Sequence, residues 1–360
     1  MKNYILTAIA IAVLNPVSGQ DSTRTQKPLT VSGYLETYYN YDFNKPENNT
    51  TPGFLYNFNR AREVNLNLGF IKGSYSTDHV RANLALATGT YVNANYASEP
   101  GVLKNMYEAN IGFRISKQKN LWIDAGIMPS HIGFESAMGK DNRTLTRSLV
   151  AENSPYFESG VKLGFTSEDE KWYLAALYLN GWQRIQRVDG NSTPAFGTQL
   201  TFKPSSAVTL NYSTFMGNDK PDSLKQMRYY HNLYSLFQVN EKFGFITGFD
   251  LGMGRAVNGN HFKNWYTPVV IVHYAVSHRV NVAARGEYFK DKKGVLITTA
   301  LKEGFQTFGI SANIDVAVLP GLLWRLEVRN LAGKDAIFEK NDLKRHNNTF
   351  ATTSLSFSFQ

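Results

Sequence analysis

From Leu29 to Phe359 the chain alternates apolar and polar residues with a period of two, in segments of about ten, and the links joining those segments alternate between short and long. Val80, Ala82, Leu84 and Leu86 oppose Arg81 and Asn83. Ala109, Ile111, Phe113 and Ile115 oppose Glu108, Asn110, Gly112 and Arg114, and Leu322, Trp324, Leu326 and Val328 oppose Arg325, Glu327 and Arg329. The same period places Val64, Leu66, Leu68 and Phe70 together on one face. Sixteen strands are expected, at 29–41, 61–74, 79–90, 104–116, 120–128, 156–166, 171–182, 195–203, 207–217, 228–238, 243–253, 265–276, 279–290, 305–317, 321–331 and 348–359. After each even strand the link is short, as at 75–78, 117–119 and 204–206. After each odd strand it is long: 42–60, 91–103, 129–155, 183–194, 218–227, 254–264, 291–304 and 332–347.

A soluble sandwich has no reason to keep that parity, whereas a barrel crossing an outer membrane does. About ten tilted residues span the bilayer, with short turns on the periplasmic side and long loops outside. One face of most strands is apolar, as lipid requires, and the other carries Glu, Asn, Arg, Lys and Ser, which a water-filled lumen accepts. The fold class is therefore all-β, a transmembrane antiparallel up-and-down β-barrel of about sixteen strands, a count that could shift by about two without losing the pattern. Tyr38, Tyr39, Tyr41, Tyr229, Tyr230, Trp265, Tyr266 and Trp324 lie toward strand ends, where interface girdles form.

Residues 1–19 read as a secretory signal, with Lys2 as its positive start, Tyr4 to Leu14 as its apolar stretch, and small residues Val17 and Gly19 before cleavage. Residues 20–28 would form a short periplasmic segment and 29–360 a single barrel domain. The chain has no cysteine, which removes disulfides and thiolate chemistry. Its net charge of +9 is scattered without a Lys/Arg-rich cluster, so no nucleic-acid partner is indicated. Gly252 and Gly254 lack the third glycine of a dinucleotide loop, Gly139-Lys140 lacks a phosphate loop, and His273 and His278 have no zinc spacing. No G-x-S-x-G elbow occurs. No enzyme, cofactor or metal is expected, although a spatially assembled Ser–His pair on a lipid-hydrolysing barrel stays open as an alternative.

The closing segment, Thr349 to Gln360, alternates Leu355, Phe357 and Phe359 with Ser354, Ser356 and Ser358, and resembles the C-terminal signal read by barrel-assembly machinery, with Gln360 following the usual terminal Phe. Ser32 to Asp42, Arg60 to Asn67, Asp124 to Glu135, Asn153 to Leu163 and Tyr178 to Gln183 resemble OmpL-like porins of the porin-2 type in gram-negative bacteria. That resemblance implies an outer-membrane barrel and a pore, without an agreed substrate; passive diffusion of small hydrophilic solutes, through a barrel set in outer-membrane lipid and lipopolysaccharide, is the expectation, and a homo-oligomer is left open. The layout is also similar to that of sixteen-stranded general porins, whose loop after the fifth strand folds inward. On that likeness 129–155 is the constriction loop, carrying Lys140, Arg143 and Arg147 with Glu135, Asp141 and Glu152. The lumen wall facing it would carry Arg81, Arg114, Lys162, Arg285, Arg325 and Arg329, together with Glu63, Glu108, Asp124, Glu158, Glu287, Asp315 and Glu327. Rings of charge set ion preference, and this mixed wall with a basic loop predicts a weak preference for anions. The rival expectation is a plugged structural or surface-binding barrel.

Overall fold

The computed structural model describes residues 28–255, 261–299, 301, 304–340 and 343–360. The expected signal at 1–19 and nearly all of the segment 20–28 lie outside the described residues. The barrel strands are β1 (Leu29–Asp42), β2 (Val64–Ser76), β3 (Val80–Thr88), β4 (Met106–Arg114), β5 (Asn120–Pro129), β6 (Phe157–Thr166), β7 (Trp172–Leu179), β8 (Ala195–Ser205), β9 (Val208–Asn218), β10 (Met227–Gln238), β11 (Phe243–Arg255), β12 (Phe262–Ala275), β13 (Val280–Asp291), β14 (Phe305–Leu319) and β15 (Leu322–Gly333). A small hairpin of β16 (Phe338–Lys340) and β17 (Leu343–Arg345) decorates the last long loop, and β18 (Asn347–Phe359) closes the barrel. Every neighbour in the ring is antiparallel, and the ring closes where β18 pairs with β1, from Gly33 opposite Phe359 to Asp42 opposite Phe350. Sixteen strands therefore form the barrel, at positions within a few residues of those expected.

The outer face is the apolar one. Leu84, Leu86, Ile111, Phe113, Phe308 and Ile310 are each at least half exposed and point away from the lumen. No helix among the described residues is long and apolar enough to cross a membrane. Each strand of the ring pairs with a neighbour on both sides, which leaves no open sheet edge in lipid.

Two expectations about faces need correction. In β2 the four apolar residues do not share a face: Val64 is 76% exposed while Leu68 is 0%. The register with β1 shifts between Glu36/Thr37, skipping Asn67, so the alternation inverts there. The bulged Asn67 turns inward, donating to Glu36 Oε2 (3.0 Å) and accepting from the Phe58 amide (3.1 Å). Of the expected girdle aromatics, Tyr38, Tyr230 and Trp265 are buried inside the barrel. Trp265 stacks on Phe289 at 5.4 Å and Tyr230 meets Trp182 edge-on at 5.0 Å, filling the outer half of the lumen. Tyr39 remains on the lipid side.

The lipid face generates a first prediction. Ile111, in the body of β4 and 60% exposed, should tolerate valine but not arginine. Ile111→Arg should cost roughly 2–4 kcal/mol, the price of a cation near the bilayer midplane. Urea unfolding of the protein in lipid vesicles measures it, and an arginine variant as stable as the parent would place Ile111 away from lipid.

Candidate functional site

The loop between β5 and β6 (residues 130–156, here L3) folds into the lumen and is seated there by contacts with the barrel wall and the first loop. At its root, Ser130 N donates to Tyr156 O (3.0 Å), closing the loop's neck. His131 follows at once. Its Nδ1 lies 2.8 Å from both carboxylate oxygens of Glu158, and its Nε2 lies 2.8 Å from the Thr214 carbonyl. Both ring nitrogens thus face acceptors, a geometry that an imidazolium with two N–H donors satisfies. Burial opposes the charge, but the Glu158 carboxylate and the Thr214 carbonyl outweigh it and raise the His131 pKa above its ordinary 6.5. Gly133 N then donates to Asn232 Oδ1 (3.1 Å), and Phe134 packs edge-on against Tyr234 at 5.7 Å.

Across the barrel, L3 meets charges on β13, β14 and β15. Arg285 pairs with Glu327 at 2.9 Å and Glu287 at 3.3 Å, Arg329 with Glu287 at 2.5 Å, and Arg325 with Asp315 at 2.6 Å. The loop backbone takes up several of their other hydrogen-bonding groups. Glu327 accepts from Thr146 N (2.5 Å) and Glu287 from Leu149 N (2.5 Å). Arg285 donates to Thr146 O (2.7 Å), Arg329 to Arg147 O (2.9 Å), and Arg325 to Gly139 O (2.5 Å) and Asn142 O (2.9 Å). Asn313, also on this wall, accepts from Leu145 N (3.0 Å). A buried ion is tolerable only when paired and hydrogen-bonded, and here one loop supplies acceptors to all three arginines, leaving only the Nε of Arg285 and of Arg329 without a hydrogen bond.

L3 also braces itself. Arg147 is fully buried and donates to the carbonyls of Ser136 (2.7 Å), Leu145 (2.5 Å) and Ala137 (2.8 Å), tying its two limbs together. Glu135 accepts from the amide and hydroxyl of Ser148, whose hydroxyl also caps the short helix α1 (Leu149–Glu152) by accepting from Ala151 N. Glu152 accepts from Tyr56 N (2.7 Å) and Asn57 N (3.1 Å) of the first loop. Burial pushes the Glu152 carboxyl up to about 7, against those hydrogen bonds and the nearby Arg147.

These contacts redistribute the expected site residues. Arg147 and Glu152 do not line water: one is a brace inside L3 and the other a clasp to the first loop. Arg285, Arg325, Arg329, Glu287 and Glu327 do face inward, but L3 covers them, and each is at most 2% exposed. Glu135 is bound to Ser148, Glu158 holds His131, and Glu63 pairs with Arg60 at 2.7 Å. Lys140, Asp141 and Arg143 are exposed; Lys140 and Asp141 pair at 3.1 Å. Across from the covered wall, on β2–β6, Lys72, Arg81 and Lys162 stay partly accessible while their partners Glu108 and Asp124 are buried. Arg81 holds Asp124 through two 2.6 Å bonds and lies over the Trp122 ring. Lys162 stands 3.8 Å from Asp124, Lys72 meets Glu108 at 2.6 Å, and Arg114 donates to Lys119 O (3.1 Å). The sequence reading missed His131, Asn313 and Lys72. Lys72 and Asn313 lie on polar strand faces, and His131 is the second residue of the loop, so position alone flagged them but chemistry did not.

L3 divides the aqueous space. An outer vestibule of about 980 Å³ is lined by Asp42, Thr51, Phe54, Tyr56, Ile297 and Phe338, among others. An inner cavity of about 390 Å³ lies toward the short turns, against Phe134, Arg143, Ser206, Leu236, Ile246 and His273. The two share no lining residue.

The family described as "Putative beta-barrel porin-2, OmpL-like" matches residues 28–359. The chain belongs to this family. It is an outer-membrane β-barrel porin. No curated protein matches its sequence. Among solved structures, the barrel is similar to the outer membrane channel DcaP of Acinetobacter baumannii, with a TM-score of 0.62, 12% identity and coverage of 92% of this chain and 97% of that one. It is similar to the anion-selective porin from Comamonas acidovorans, at TM-score 0.61 and 10% identity over 92% and 99% of the two chains. It also resembles the outer-membrane expressed OmpT of Vibrio cholerae, at TM-score 0.60 and 8% identity over 92% and 97%. At these identities the likeness concerns the fold.

The seat of L3 in this porin can be tested directly. Because the chain has no cysteine, Leu145→Cys supplies a single, fully buried thiol whose maleimide labelling reports release of the loop. Glu287→Ala, which strips two buried arginines of a partner, should cost about 3–5 kcal/mol and accelerate that labelling. Labelling unchanged by the substitution would mean that the ionic seat does not hold L3.

A pH dependence follows as well. His131 and Glu152 both have raised pKa values in the fold. A raised folded pKa means more protons bound in the folded state, so both groups contribute stability at low pH and lose it as pH rises. For Glu152 the loss runs from its ordinary 4.5 through about 7; for His131 it begins at 6.5 and extends above it. The thermal midpoint should therefore fall between about pH 5 and about pH 8, and His131→Gln should flatten the upper part of that fall.

Proposed function

We propose that this porin passes small hydrophilic solutes and ions by passive diffusion through a narrow route limited by L3, with a weak preference for anions. The observation that carries this reading is the seating of L3 across the lumen between an outer vestibule and an inner cavity. Rings of charge at a constriction set selectivity. Here the cations of β13–β15 are neutralised under the loop, and Lys140 is paired with Asp141. Arg143 is exposed and, among the described residues, has no ion-pair or hydrogen-bond partner, so it is the charge on L3 left to act on a passing ion. No catalytic step is needed. Outer-membrane lipid and lipopolysaccharide would surround the barrel, and β18, ending in Phe357 and Phe359 on the lipid face, is the segment offered to barrel-assembly machinery.

The same seating favours one alternative. A loop bound through buried ions could close the barrel outright, leaving the outer loops to bind a partner. Planar-bilayer recording separates the two. Stable open steps, with a reversal potential of anionic sign that Arg143→Gln abolishes, support the diffusion reading. Arg325→Ala, which frees L3 at Gly139 and Asn142, should then raise the unit conductance. A folded barrel that never conducts would replace diffusion by a closed binding barrel.

A further inference from the structure

A water-filled lumen is expected to be polar, yet the inner cavity has an apolar side. Leu236, Ile246 and Ile271 form a row across three neighbouring strands: Leu236 is opposite Ile246 in the β10–β11 pairing, and Ile246 is opposite Ile271 in the β11–β12 pairing. All three line the cavity, and Phe134 of L3 packs beside them in one apolar cluster. Arg143 also lines the cavity, together with Glu135, Asp141 and His273. Asp141 is engaged with Lys140, Glu135 is bound to Ser148, and Asp315 is held bidentately by Arg325. A guanidinium that, among the described residues, makes no ion pair or hydrogen bond, with Asp315 as a nearby carboxylate already held by Arg325, therefore shares a cavity of about 390 Å³ with a continuous hydrocarbon wall. That volume falls in the ~300–1,000 Å³ range of small-molecule sites, which combine an apolar lining with a few placed polar groups.

We propose that the inner cavity is a binding site for an amphiphilic carboxylate, an aromatic or short aliphatic acid whose carboxylate pairs with Arg143 and whose hydrocarbon part lies on Leu236, Ile246 and Ile271. Each half of the ligand answers one half of the site. A guanidinium forks onto a carboxylate through two parallel N–H donors, and an inorganic anion would satisfy Arg143 while leaving the apolar row facing water. A neutral hydrocarbon would do the reverse. The inference deepens the diffusion reading by naming a solute class, but the site is defined by binding and does not require conduction.

Benzoate, acetate and benzamide are the probes, titrated into the full mature chain in micelles and followed by saturation-transfer NMR, with heat-modifiable migration confirming each variant's fold. Benzoate should bind at least about tenfold more tightly than either acetate or benzamide, a difference of about 1.4 kcal/mol. Arg143→Gln should abolish the advantage over benzamide, and Arg143→Lys should restore part of it. Leu236→Asn should abolish the advantage over acetate while leaving acetate binding unchanged. Equal binding of benzoate and acetate would reduce the site to an adventitious anion contact, and benzoate binding untouched by Arg143→Gln would overturn the proposal. A chain that conducts in bilayers yet fails these titrations would lose this site and keep its porin function; one that binds benzoate but never conducts would keep the site and lose the diffusion reading.

Discussion

Hydrocarbon accepts no unpaired backbone group, and an orphaned N–H or C=O there costs several kcal/mol. The rest of this structure follows from that demand. The sheet must close, so β18 returns to β1 over ten paired positions, from Gly33 to Asp42. A closed ring has an inside and an outside, and the period of two sends every second side chain to each. Charged groups on the strands have one acceptable destination, the lumen. Arg285, Glu287, Arg325, Glu327 and Arg329 face inward because lipid excludes them, and the closeness of so many ions then creates a second requirement, that they be neutralised.

L3 meets that requirement, and the wall is shaped to receive it. On β13 and β15 the charges stand two residues apart on one face. Between them on β14 the facing positions are small: Ser311 lies opposite both Arg285 and Arg329, and Gly309 lies opposite Glu287. A Cβ on Gly309 would sit 2.7 Å from Glu287 Oε1, so the glycine leaves room for the carboxylate that reaches Arg329 and the Leu149 amide. Buried ion pairs of this kind add little net stability, because desolvation cancels most of their attraction. Their effect here is positional. The loop's amides and carbonyls fit one arrangement of donors and acceptors, and a shift of one residue along L3 would leave several buried charges without partners.

This also marks where the sequence could be read and where it could not. Parity of links and alternation of faces are local, so the barrel and the approximate positions of its strands were legible before any coordinate, whereas the inward loop was expected only from likeness to sixteen-stranded porins. The Asn67 bulge was not, because nothing local distinguishes it from its polar neighbours; its reason is Glu36 on the adjacent strand. Arg147 and Arg143 look alike in sequence, four residues apart on one loop, yet one is enclosed by three carbonyls and the other is exposed. Tyr38, Tyr230 and Trp265 have the positions of girdle residues but the inward parity, and the outer loops fold over them. The tip hairpin β16–β17 is three residues a side, too short for a period to be visible.

The asymmetry of the lumen then limits where a solute can be influenced. On the β13–β15 side the cations are spent, each buried and bound to both a carboxylate and the loop. On the β2–β6 side, Lys72, Arg81 and Lys162 keep side-chain exposures of 26%, 37% and 23%, although each is near a carboxylate. Their partners Glu108 and Asp124 are buried beneath them, so the wall shows water paired cations whose charge is largely offset. Arg143, on the part of L3 that reaches the inner cavity, adds a positive charge that makes no ion pair among the described residues, the nearby Asp315 being held by Arg325. The field that a solute meets is thus nearly balanced along the open wall and positive at the loop, and only the second element depends on L3 staying seated. Selectivity and the ionic seat are consequently one system: the buried arginines that no solute touches hold in place the exposed arginine that it would meet.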